Sequence, residues 1–134
     1  MPVVRSADAT VHDMHGARFS SYASPGRGNA GELSAWRLDL PPGSNGVPHT
    51  VSQEEVILVL SGTLQVTLTD GPADSADAAA ATPGRAGDAF VVPAGATLRV
   101  GTPDDEAAAA WVTTRAGLKA TLADGSTLAP PWAQ

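Results

Sequence analysis

Apolar and polar residues alternate in short runs along most of the chain, and Gly or Pro breaks each run before a helical period builds. In "ELSAWRLDL" (32–40), Trp36, Leu38 and Leu40 fall on one face and Arg37 and Asp39 on the other. A period of two is that of a strand with one buried face. The stretch "EEVILVLSG" (54–62) is a nearly continuous apolar run, and "TLQVTLTDG" (63–71) alternates again, with Leu64, Val66 and Leu68 on one side. Ser61-Gly62 between these two predicts a tight hairpin, as does Asp124-Gly125 further on. "DAFVVPAG" (88–95), "ATLRVGT" (96–102), "AAAWVTT" (108–114) and "LKATLADGSTLAP" (118–130) continue the pattern. Regularly spaced short strands without helices predict an all-β sandwich or small barrel.

The segment "GPADSADAAAATPGRA" (71–86) breaks this pattern. It is low in complexity, carries no strand alternation, and holds Pro and Gly at spacings that suit a turn or two of helix at most. It reads as a long hairpin loop, with a lid or a subunit contact as the functional alternative.

The length of 134 residues fits one domain, 1–134, with the barrel core expected at about 32–122. The absence of cysteine excludes disulfides and thiolate metal sites and fits the cytoplasm. A net charge of −6 without a basic cluster argues against nucleic acid and against anionic membrane surfaces. No apolar run reaches the length of a membrane span, and "MPVVRSADATVHDMHG" lacks the apolar core of a signal peptide. Abundant Ala, Gly and Pro beside a single lysine, Lys119, suit a bacterial chain from a GC-rich genome.

Candidate chemistry centres on "GVPHTVSQEEVILVLSG" (46–62), where a histidine is followed by a carboxylate and a turn glycine. The spacing resembles the first signature of the cupin superfamily: Gly43, five residues, His49, one residue, Val51, three residues, Glu55, six residues, Gly62. The second signature is matched by Gly87, Pro93 and Gly95; Leu98 stands where it has a histidine, and Thr102 where it has an asparagine. The resemblance implies a cupin double-stranded β-helix, the jelly-roll barrel, often dimeric, with turns at the glycines and Pro93. It also implies that His49 and Glu55 project into the barrel mouth, while Val51 and Leu98 replace two of four metal ligands. Two protein ligands fall short of the three or more of a stable mononuclear site. No cofactor is therefore expected; any divalent metal would be held weakly, at His49 and Glu55.

His49 and Glu55 are accordingly the candidate catalytic residues, as near neighbours able to hydrogen-bond directly. Trp36, Val51, Gln53, Ile57, Leu98 and Trp111 are the expected pocket walls. His12 and His15 form an H-x-x-H pair that reads as part of a surface turn, and Trp132 is expected to pin the C-terminal tail. The expectation is a small-molecule-binding cupin and homodimer. Its leading function is metal-independent acid–base catalysis of isomerase, cyclase or dehydratase type, as in secondary metabolism. A non-catalytic binding protein and a divalent-metal oxygenase with a reduced ligand set are the alternatives. Whether the chain is an enzyme is left open by the residues alone.

Overall fold

The computed structural model describes residues 3–27 and 30–134. It contains twelve strands among them: β1 (Thr10–Met14), β2 (Ala17–Ala23), β3 (Leu33–Leu40), β4 (His49–Val51), β5 (Glu55–Ser61), β6 (Thr63–Thr69), β7 (Thr82–Arg85), β8 (Ala89–Val92), β9 (Thr97–Gly101), β10 (Ala108–Arg115), β11 (Ala120–Leu122) and β12 (Thr127–Leu128). They form two six-stranded sheets, ordered β1-β2-β3-β10-β5-β8 and β12-β11-β4-β9-β6-β7. Every strand pairing is antiparallel. No helix among the described residues is long and apolar enough to cross a membrane.

The core lies between the sheets, and alternation selects who enters it. Trp36, Leu38 and Leu40 of β3 are buried, as are Ile57 and Val59 of β5, Leu64 and Val66 of β6, and Leu98 of β9. Fully burying a side chain such as Ile57 or Leu98 contributes about 1.5–3 kcal/mol. Leu68, one residue from the end of β6, is 45% exposed, contrary to the inward phase read from the sequence.

Ser61-Gly62 is not a hairpin. β5 belongs to the first sheet and β6 to the second, so the chain turns a corner between sheets there. Gly62 has φ 70, and a Cβ on it would sit 2.0 Å from the Ala107 carbonyl oxygen. Corner and close backbone approach both require glycine. Asp124-Gly125 does close a hairpin, between β11 and β12. The Asp124 carboxylate accepts from the Ser126 backbone N–H at 2.8 Å there.

The sheets take in more chain than 32–122. β1 and β2 extend the first sheet beyond β3, and the C-terminal Trp132 stacks on Phe19 with ring centroids 3.8 Å apart. The 71–86 segment also differs from a bare loop. Ala73–Ala78 forms a 3-10 helix, and Thr82–Arg85 pairs with β6 as β7. Ala73 and Ala76 are buried. Thr97 donates to the Gly71 carbonyl at 2.6 Å, and Asp77 pairs with Arg99. Pairing with β6 places Gly84 under the Phe90 ring, whose nearest atom lies 2.5 Å from where a Cβ would stand. Replacing residues 72–85 by a tight turn should therefore destabilise the fold. Lost ladder bonds and contacts set the loss at about 2 kcal/mol, or roughly a 5–10 °C fall in melting temperature. An unchanged melting temperature would show that the segment only rests on the barrel.

Candidate active site

A cavity of about 140 Å³ opens between the sheets. Its walls are mostly aliphatic and aromatic: Phe19, Trp36, Leu38, Ile57, Leu98 and Trp132 are among them. Polar side chains reach it from His15, Ser44, His49 and Glu55. β4 of the second sheet supplies His49, and the first residue of β5 in the opposite sheet supplies Glu55.

The two residues sit in different states. His49 Nδ1–H donates to the Val47 carbonyl at 2.8 Å. A carbonyl only accepts, so Nδ1 carries the proton and Nε2 is left as the basic nitrogen of the neutral ring. Burial pushes the imidazole pKa down; the Val47 bond opposes this, and the nearby His15 adds to it. Glu55 is 4% exposed, and burial pushes its carboxyl up to about 7. No donor among the described residues serves that carboxyl, so nothing holds it ionised. Near neutral pH the cavity therefore holds a neutral base and a carboxylic acid that retains much of its proton. Both face the same space, and no hydrogen bond or ion pair joins them, so the direct hydrogen bond open to near neighbours is not made.

Of the expected walls, Trp36, Ile57 and Leu98 line the cavity. Val51 is buried in the core without lining it. Gln53 turns away and donates to the Ala116 carbonyl at 2.9 Å. Trp111 faces the outside of the first sheet, because the inward positions of β10 are Ala110, Val112 and Thr114; its ring lies 5.2 Å from that of Tyr22. Thr102, at the asparagine position, ties the loop before β4. Its hydroxyl donates to the Pro41 carbonyl at 2.7 Å and accepts from the Ser44 N–H at 2.9 Å.

The terminal segments supply walls that the sequence pattern did not reveal. Met14, His15 and Phe19 come from the β1–β2 hairpin, and Trp132 from the tail. His15 sits in the turn with φ 53, ahead of Gly16, and reaches the cavity, while His12 lies 5.8 Å from the Trp132 ring. The His-Gly turn dipeptide was the one available signal, and it gives no direction into a cavity.

The family-level finding agrees with this geometry. The cupin-domain family profile matches residues 36–114, and the chain belongs to that family. Among solved structures, it is similar to the polyketide cyclase RemF from Streptomyces resistomycificus, at 18% identity and a TM-score of 0.71 over 86% of this chain and 79% of that one. An RmlC-like cupin from Shewanella frigidimarina aligns at 20% identity and a TM-score of 0.64, covering 83% and 86% of the two chains. An oxalate decarboxylase from B. subtilis aligns at 16% identity and a TM-score of 0.69, over 97% of this chain and 33% of that one. At these identities the likeness is one of fold. No curated protein sequence matches the chain.

Cupins include metal enzymes, and the donor set decides whether an ion fits here. Val51 and Leu98 offer no lone pair, and no three His, Cys, Asp or Glu side chains among the described residues are grouped to hold an ion. His49 and Glu55 alone do not fit a tightly held transition metal.

Proposed function

We propose that the protein is a metal-independent acid–base enzyme of isomerase, cyclase or dehydratase type, acting on a small organic molecule in the cavity. The observation that carries this is the pairing of an unpartnered carboxyl and a neutral imidazole on opposite sheets of one apolar cavity. His49 Nε2 takes a proton from a carbon next to a carbonyl. The Glu55 O–H gives its proton to the carbonyl oxygen. The enol then forms with His49 as imidazolium and Glu55 as carboxylate, and the reverse transfers restore both. A base and an acid near their working pH suit such a step. Solvent deuterium incorporation beside the carbonyl of cyclohexanone, followed by NMR, tests it. Exchange should exceed the buffer rate and fall at least about tenfold in His49→Gln and in Glu55→Gln. Binding without exchange would leave a non-catalytic binding protein.

The same proposal sets the protein in a bacterial cytoplasm, without nucleic-acid partners, as a homodimer. The outer face of the first sheet carries exposed Val56, Leu58 and Leu60 on β5 and Val91 on β8. This patch bears no charge in a chain of net charge −6, so two copies meet there without acidic repulsion. Light scattering should give twice the chain mass, and Leu58→Glu should return it to one. A monomeric wild type would remove the dimer from the proposal.

A further inference from the structure

The cavity's size and its polar content together restrict what enters it. Its volume of about 140 Å³ is close to that of an apolar protein cavity of roughly 150 Å³ that accepts benzene. Among the residues lining it there is no arginine or lysine. An anion would meet a carboxyl and no cation. A cation would ionise Glu55, yet no hydrogen bond among the described residues supports that carboxyl, and a buried pair without such support rarely repays its desolvation. An uncharged ligand avoids both costs. It still needs one oxygen, because the Glu55 carboxyl has no protein partner and leaving it dry and unpaired is unfavourable.

We propose that the cavity takes an uncharged single-ring molecule bearing one carbonyl or phenolic oxygen, with the ring against Ile57 and Leu98 and the oxygen on Glu55. This deepens the acid–base reading and rests on it for the claim that the ligand is a substrate. The ligand class itself is testable without turnover. Five probes separate the effects of charge, oxygen and size at pH 6: phenol, toluene, benzoate, benzylammonium and 2-naphthol. Phenol is neutral there, whereas benzoate and benzylammonium are charged.

Calorimetric titration of the wild type should show phenol binding roughly tenfold or more tightly than each of the other four. Phenol should shift the methyl resonances of Ile57 and Leu98. Glu55→Leu should abolish the preference for phenol over toluene, and Glu55→Gln, whose amide donates, should keep it. Benzoate, benzylammonium or 2-naphthol binding as tightly as phenol would overturn the proposal. So would unmoved Ile57 and Leu98 methyls, or a phenol preference that survives in Glu55→Leu. Should phenol selectivity hold while cyclohexanone exchange is absent, the ligand class stands and the catalytic reading falls. Should exchange occur without that selectivity, the catalytic reading stands and the ligand class falls.

Discussion

Glu55→Gln should make the protein lose stability as the pH falls from 7 to 5, while His49→Gln should make it gain stability over the same range. The signs follow from where each proton sits. The folded Glu55 carboxyl titrates at about 7, against an ordinary 4.5. Between these values the folded state holds a proton that the unfolded state has released. Stability from this group is therefore full below 4.5 and is lost as the pH rises through 7. The shift corresponds to about 3 kcal/mol. His49 works the other way, because its folded pKa lies below 6.5. Below 6.5 the unfolded ring binds a proton that the folded ring refuses, so acidification destabilises. In the wild type the two slopes oppose each other. Each single variant uncovers the slope of the residue left behind. Asp13 and Asp124, both held below 3.8, lose their contributions only at more acidic pH and do not enter this window. Urea denaturation of the three proteins at pH 5, 6 and 7 measures the effect. Parallel pH profiles for wild type and both variants would show that neither group is buried in the state described here.

The fold was legible because its punctuation survives in the sequence. Gly43, Gly62, Gly87 and Gly95 stand at the signature spacing, and all four have positive φ. Strand phase was legible where charge alternates with apolar residues, as in β3, where Arg37 and Asp39 mark the outer face and pair with each other at 3.1 Å. It was not legible in "AAAWVTT". Alanines and threonines fit either face, so nothing in the run said that Trp111 would point out and Val112 in. The corner at Gly62 has the local sequence of a hairpin. What decides against a hairpin is sheet membership, set by long-range pairing of β5 with β10 and of β6 with β9. The site was half legible for the same reason. His49 and Glu55 lie on signature strands, whereas His15 and Trp132 are brought in by terminal segments whose docking is a tertiary event. β7 was hidden because "TPGR" has no apolar alternation; it exists as an edge on β6.

Changing Val51 and Leu98 both to histidine should create a metal-dependent protein. Leu98 is the register partner of His49 across β4 and β9, which brings directly opposed side chains to about 5 Å. Val51 lies two residues after His49 on β4 and so shares its face. Both positions are 1% exposed, so new side chains there are buried. Without metal, each imidazole replaces a packed aliphatic group and is left unpaired, at a cost of about 1–3 kcal/mol. The double variant should therefore unfold at lower urea than the wild type. With His49 and Glu55, the two new rings supply a three-histidine, one-carboxylate donor set, which the unfolded chain does not preorganise. Zinc or cobalt at a thousandfold excess over its dissociation constant then adds about 4 kcal/mol by mass action. Denaturation with and without the metal gives this difference directly, and adding His49→Ala to the double variant should remove most of it. A folded double variant indifferent to zinc, cobalt and nickel would mean that residues 49, 51, 55 and 98 do not converge. His49 and Glu55 would then not share a mouth, and the acid–base site would lose its geometric basis.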